Sequence, residues 1–257
     1  MPRPIARDAV PAQEGVSSLR RAFLLLDAFT TDEKWLTVRE LARRTGVPRS
    51  TTHRLVAELL AWGALERGRS GVGLGSKLFE LGMLMPGPAG VRDAALPFAH
   101  NLNEVTGLTV NLAVREGAEI VYVEKITTRS LRVPHSRLGG RASLHATALG
   151  KAILAFSAGH DLERLLAEPL PAVTAKTITD VRELRRQLAE IRLSKVAYDL
   201  EESRPGLFCV AAPILDAKGT AVAAVSVTGA TALAEAERYA PAIRMSALAI
   251  ERVLRPL

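Results

Sequence analysis

From Ser17 to Phe29, apolar side chains recur at Leu19, Ala22, Phe23, Leu26 and Phe29, the spacing of one helix face behind a Ser17/Ser18 cap. After a polar loop, Thr37 and Glu40 have the spacing of a capping box, and Leu41 and Ala42 follow on the buried side of a second helix. Gly46 falls where a helix ends on a left-handed residue, and Pro48 suits the first turn of a third helix. That helix is predicted to run to about Ala61, with Leu55, Val56, Leu59 and Leu60 inward, and to stop at Gly63. Two helices joined by Thr45-Gly46-Val47-Pro48, the second polar at its start, have the spacing of a helix-turn-helix. Four glycines around Arg67 and Arg69 then predict a β-hairpin wing, and Leu78, Leu81 and Leu84 a short helix to Met85.

Pro86-Gly-Pro-Ala-Gly90 is the strongest linker signal in the chain, and beyond it the pattern changes. Val91–Val105 reads as helical, with Pro97 either bending the helix or starting a new one. Leu108–Val114 and Ile120–Ile126 alternate and predict paired strands around Glu116-Gly117. Thr147–Phe156 predicts a helix, and Asp180–Ile191 an amphipathic one with Val181, Leu184, Leu188 and Ile191 inward. Cys209–Leu215 and Ala221–Thr228 predict two strands joined by a turn over Asp216–Gly219, and a last helix spans about Ala234–Leu254. Hairpins mixed with helices give an α+β fold with a mainly antiparallel sheet. The expected division is a disordered lead-in over 1–16, a winged helix-turn-helix over 17–80, a linker helix region over 81–96 and a second domain over 97–257.

Composition narrows the function. The chain has 257 residues, 48% of them hydrophobic and 24% charged, an ordinary globular balance. No apolar run approaches the ~20 residues that cross a bilayer, so no membrane partner is expected. Arg3 and Arg7 have no apolar segment behind them, which does not read as a secretory signal. A single cysteine, Cys209, forbids an internal disulfide and suits the reducing cytoplasm. The net charge is +7, and residues 19–80 carry 11 Lys and Arg against 7 Asp and Glu. Excess positive charge is about four times denser there than beyond the linker, as phosphate binding requires. His100, His135, His145 and His160 show no ligand-like pairing with cysteine, so neither a metal nor a cofactor is expected. An enzyme would need Cys209 as nucleophile with His145 or His135 as base, and nothing in the sequence brings these together. The chain therefore reads as a non-enzyme.

Leu41-Ala-Arg-Arg-Thr-Gly-Val-Pro-Arg-Ser-Thr-Thr-His-Arg-Leu55 resembles the helix-turn-helix of the IclR family of transcriptional regulators. The resemblance continues through Leu144-His-Ala-Thr-Ala-Leu-Gly-Lys-Ala152 and Tyr198-Asp-Leu-Glu-Glu202. It ends with Gly206-Leu-Phe-Cys-Val-Ala-Ala-Pro213 and Ala224-Val-Ser-Val-Thr228. In this order the motifs cover roughly residues 17–254. The resemblance implies a winged helix domain, a dimerising linker helix and a GAF-like effector-binding domain, in a homodimer or homotetramer on a palindromic double-stranded DNA operator. Three features depart from it: the short Pro- and Gly-rich linker, the glycine-rich wing, and Val133-Pro-His-Ser136, where relatives often carry longer apolar side chains.

For DNA, the third helix would enter the major groove by its N-terminal end. Arg49 and Arg54 can donate bidentately to guanine or grip phosphate. Ser50, Thr51, Thr52 and His53 can reach phosphates or bases, although Thr51 or Thr52 can instead satisfy local backbone and His53 can simply be solvated. Arg67 and Arg69 would meet the phosphates from the wing. One such domain binds too weakly alone, which favours a dimer on two half-sites.

For the effector, the resemblance implies the Ala148 and Leu149 amides, Asp199, Cys209, Ser226 and Thr228, with Val133, His135, Ala142 and Leu207 shaping the rest of a pocket. A helix start offers free N–H groups to an anion, and Ser226 and Thr228, two apart on a strand, face the same side. Together they suit an organic acid. An ionised Asp199 would repel such a ligand, so either it accepts from a donor on the effector, the preferred reading, or it turns away and holds a loop. Cys209 can equally be a small buried hydrophobe, and His145 a structural group. The alternative function is a DNA-binding regulator whose C-terminal domain only oligomerises and binds no ligand.

Overall fold

Ser17 accepts the Arg20 N–H at 3.2 Å and opens α1 (Ser18–Asp27). Thr37 and Glu40 close the expected capping box at the start of α2 (Val38–Thr45), with Thr37 N–H donating to Glu40 Oε2 at 2.7 Å. Gly46 ends α2 at φ 68°, and Pro48 caps α3 (Arg49–Trp62), which stops at Gly63 with φ 87°. The computed structural model describes residues 16–127, 136–230 and 236–254. It divides the chain into two units after Met85.

In the first unit, β1 (Leu65–Gly68) and β2 (Gly71–Leu74) form the wing, and α4 (Ser76–Met83) follows. Leu36 exchanges both backbone hydrogen bonds with Val72, at 2.9 Å each, and ties the root of the wing to the segment before α2. The wing glycines have a steric cause: a Cβ on Gly68 or Gly73 would stand 2.4 or 2.8 Å from the Trp35 ring. Leu25, Leu41, Leu55, Val56, Leu65 and Val72 make the core of this unit.

The second unit begins with α5 (Pro86–Thr106). The proline- and glycine-rich stretch after Met85 is thus the start of a helix. Proline is tolerated in a first turn, where its missing N–H has no intrahelical partner. Pro97 lies inside α5, yet Val91, Ala95, Ala99 and Leu102 form one buried face across it. Burial of that face outweighs the lost hydrogen bond. The expected linker region over 81–96 is accordingly shared between the end of α4 and the first half of α5.

Next in sequence are β3 (Thr109–Glu116), β4 (Glu119–Ile126), β5 (Arg141–Ser143), α6 (Ala148–Ala155), α7 (Gly159–Leu166) and α8 (Val181–Ser194). The chain continues through β6 (Ala197–Leu200), β7 (Phe208–Leu215) and β8 (Ala221–Gly229) to a 3-10 turn (Glu237–Tyr239) and α9 (Ala240–Leu254). The strands form one antiparallel sheet in the order β5-β4-β3-β8-β7-β6. Val110, Leu112, Val210, Val225 and Val227 pack one face against α5 and α9. On the other face Ala113, Ala197, Ala211 and Ala224 pack against α6 and α8. Helices on both faces explain why every residue of β7 is buried. The mixed α+β class and the mainly antiparallel sheet are as the sequence predicts, whereas β5, β6 and α7 lie where it predicted no element.

Gly150 fixes how closely α6 approaches its own N-terminal loop, because a Cβ there would stand 2.2 Å from the Leu144 carbonyl oxygen. Gly150→Ala is expected to cost ~1–3 kcal/mol, read as a lower urea midpoint at unchanged slope. An unchanged midpoint would show that this approach carries no strain.

Candidate functional site

The exposed side of α3 carries Arg49, Ser50, His53 and Arg54, with Thr51 half-buried. Arg54 also forms an ion pair with Glu58 at 2.7 Å, one helical turn on. Thr52 corrects the sequence expectation. It is fully buried, and its hydroxyl donates toward the Val47 and Pro48 carbonyls, at 3.1 Å each, so it holds the turn and cannot reach DNA. Arg67 on β1 and Arg69 in the tip turn are exposed. The first unit thus presents cations from a helix start and from a hairpin tip, two features suited to phosphate and base edges.

In the second unit, the α6 face of the sheet is apolar at one end and polar at the other. Register places Asp199, Cys209, Thr228 and Thr109 in one cross-strand row, and Ala211, Ser226 and Asn111 in the next. All of them are buried. Asn111 Nδ2 donates to Thr228 Oγ1 at 3.2 Å, and Thr228 Oγ1 lies 3.0 Å from Cys209 Sγ. Ser226 Oγ and Asn111 Oδ1 are buried without a hydrogen-bond partner among the described residues. The helix α6 packs across this face, against β8, β7, β6 and β3. Thr147 Oγ1 accepts the Gly150 N–H at 3.0 Å, while the Ala148 and Leu149 N–H groups have no acceptor among the described residues.

Asp199 takes the loop-holding arrangement. Its Oδ1 accepts the Glu202 N–H at 2.8 Å and the Ser203 N–H at 3.1 Å, and its Oδ2 accepts the Ser203 hydroxyl. Burial pushes the Asp199 carboxyl above the usual range against these bonds. Lys151, buried on α6, donates to Glu202 Oε1 at 2.6 Å and to Gln187 Oε1 at 2.9 Å. Burial raises Glu202 while the Lys151 charge opposes the rise. Burial also pushes the Cys209 thiol up, which keeps it protonated and is the opposite of nucleophile activation.

His145, buried beside the start of α6, donates from Nε2 to the Pro171 carbonyl at 3.0 Å, a structural contact. Ala142 on β5 packs against the α6-side core, and Leu207 is half-buried just before β7. Val133 and His135 lie outside the described residues. Sequence reasoning missed Asn111, Tyr122, Lys151, Glu202 and Ser203 as members of this neighbourhood. Burial raises the Tyr122 hydroxyl above its usual range, and the Cys209 and Asp199 charges add to the effect. Among the described residues, no group of three or more His, Cys, Asp or Glu side chains could hold a metal ion, and no helix is long and apolar enough to cross a membrane.

Two family patterns match the chain. The pattern described as the IclR helix-turn-helix domain covers residues 18–69, and that described as the bacterial transcriptional regulator IclR C-terminal covers residues 87–252. The chain belongs to the IclR family. It is therefore a DNA-binding transcriptional regulator, in a family of regulators and not of enzymes. This IclR-family regulator is 36% identical over 220 residues to the HTH-type transcriptional regulator BhcR of Paracoccus denitrificans, covering 84% of this chain and 78% of that one. It is 31% identical over 224 residues to the transcriptional repressor IclR of Escherichia coli, covering 85% and 82%. Among solved structures it is similar to an IclR homolog from Microbacterium hydrocarbonoxydans complexed with 4-hydroxybenzoate, at TM-score 0.86 and 31% identity over 93% of this chain and 99% of that one.

The contrast between Thr52 and Arg49 is testable in this regulator. Thr52→Val is expected to cost ~0.5–1.5 kcal/mol in chemical denaturation and to leave DNA affinity unchanged in the folded protein. Arg49→Ala should leave stability unchanged and weaken binding by ~1–3 kcal/mol on duplexes selected from a randomised pool, if Arg49 reads a base. A reversed pattern would exchange their roles.

His145 gives a pH signature. Burial lowers its pKa from 6.5, so between 6.5 and the folded value the unfolded chain binds a proton that the folded chain excludes. Stability should therefore fall as pH drops below 6.5, and His145→Gln should flatten that part of a midpoint-against-pH curve.

Proposed function

We propose that this regulator binds a small organic acid on the polar end of its α6 face and that the acid controls its grip on operator DNA. The observation that carries the reading is the buried Ser226 hydroxyl without a partner among the described residues, on the sheet face against which α6 packs. Buried polar groups are nearly always satisfied, so a set of them left open together reads as a site awaiting a ligand. The donors sum to a carboxylate receptor: the Ala148 and Leu149 amides with the helix dipole behind them, and the Ser226 and Thr228 hydroxyls beside them. Ala142 and Leu207 supply apolar walls. The complex of a similar structure with 4-hydroxybenzoate supports an acid as the ligand class.

On the DNA side, Arg49, Ser50, His53 and Arg54 of α3 meet the major groove, with Arg67 and Arg69 on the flanking phosphates. The regulator works in the cytoplasm as at least a dimer. Its α4 buries no residue, and Phe79 and Leu84 are 71% and 75% exposed, apolar surface that a second copy would cover. Light scattering should give at least twice the 27.6 kDa chain mass at micromolar concentration, and a stable monomer would contradict the assembly.

The ligand test is calorimetry on the full chain with acetate, propanoate, lactate, benzoate and 4-hydroxybenzoate. At least one should bind, and its binding should change operator affinity in a mobility-shift titration. Ser226→Ala and Thr228→Val should each weaken that acid by ~0.5–1.5 kcal/mol. Binding untouched by both substitutions would overturn the site, and binding of none would favour a domain that only oligomerises.

A further inference from the structure

Asn111 is the least expected member of the α6 face. It sits in the middle of the sheet, opposite Lys125 on β4 and Ser226 on β8, and is 2% exposed. Its Nδ2 is engaged by Thr228 Oγ1, but its Oδ1 is buried with no partner among the described residues. Ser226 Oγ on the adjoining strand is equally unfilled, so the two polar atoms do not satisfy each other although their residues are paired. Burying a carboxamide oxygen unbonded is costly, and its hydrogen bond to Thr228 holds the group in place. The oxygen is therefore fixed, and it lacks a donor.

Its chemistry is the reverse of the start of α6, the helix packed on this face. The Ala148 and Leu149 N–H groups are donors and call for an anionic oxygen, whereas Oδ1 is an acceptor and repels one. A plain carboxylate fills the first set and leaves Asn111 orphaned. A keto oxygen would face Oδ1 acceptor against acceptor. An ammonium could donate to it, but burying a second cation on the face that already holds Lys151 costs far more than burying a neutral hydroxyl. Asp199, the obvious anionic partner for an ammonium, already accepts three bonds from its own loop.

We propose that Asn111 is a specificity-determining ligand contact, and that the effector is a hydroxylated carboxylic acid whose O–H donates to Asn111 Oδ1. This rests on the acid-binding reading of the α6 face and adds the second functional group. Asn111 then separates a hydroxy acid from its unsubstituted, keto and amino analogues, while the α6 amides hold what all four share.

The test is calorimetry on the full chain with two matched sets: lactate, propanoate, pyruvate and alanine, and 4-hydroxybenzoate with benzoate. In the set whose carbon skeleton fits, the hydroxy acid should bind at least about tenfold tighter than every analogue. Asn111→Leu deletes the acceptor at similar volume and should bring the hydroxy acid to within about twofold of its unsubstituted analogue in the same variant. If Asn111→Leu does not fold, Asn111→Ala is read in the same way, and the wild-type ratios decide the matter without either. An unsubstituted, keto or amino acid binding as tightly as the hydroxy acid overturns the role of Asn111 and leaves the acid site standing. A preference surviving intact in Asn111→Leu does the same. Failure of every acid in both sets to bind overturns this inference and the acid site together.

Discussion

Burying a helix N-terminus leaves backbone N–H groups that must find acceptors, and nothing in an apolar core supplies them. In α6 the first turn is held close to the loop before it, where Gly150 meets the Leu144 backbone, and the helix packs on the sheet. Thr147 satisfies one donor, and the Ala148 and Leu149 donors stay open over strands that carry Asn111, Ser226 and Thr228. The alternation of β3 and β8 sends apolar side chains to the α5 side and these polar groups to the α6 side, so one sheet builds a core and a buried polar cluster from alternate residues.

A second constraint ties α6 to the loop after β6. The buried Lys151–Glu202 pair joins α6 to the loop after β6, and Asp199 grips the same loop through the Glu202 and Ser203 backbone. Thr174 and Thr177 donate to carbonyls of Glu201 and Glu202 and hold it from the other side. Removing one partner of a buried ion pair leaves an uncompensated charge at a cost of ~3–5 kcal/mol. The helix whose amides are open and the loop that leads into Leu207 and β7 are thus mechanically one object.

Much of this was legible in the sequence because it rests on local chemistry. Thr37 and Glu40, Gly46 and Pro48 announce helix ends by residue type, and the alternating strands announce a sheet. Thr52 was also legible in principle: it stands three and four residues before Leu55 and Val56, on their buried stripe. Lys151 is flagged by apolar neighbours on every side of its helix, but its partner Glu202 is 51 residues away and invisible locally. Asn111 gives no signal, since a polar residue at alternate positions of a strand looks like one facing water. The second layer of helices removes that water. Pro86 misled in the other direction, because a proline that breaks a helix interior is at home in a first turn. β5 and β6 are three and four residues long and form only as sheet edges, which no local pattern specifies.

The proposed effector site depends on the open donors at the start of α6 holding a carboxylate. A crystal structure of the full chain with the acid that binds most tightly tests it most directly. A carboxylate oxygen should lie ~2.7–3.1 Å from the Ala148 and Leu149 nitrogens, with the Ser226 hydroxyl turned toward it. The acid seated elsewhere, with those two amides still open or filled by ordered water, would contradict it.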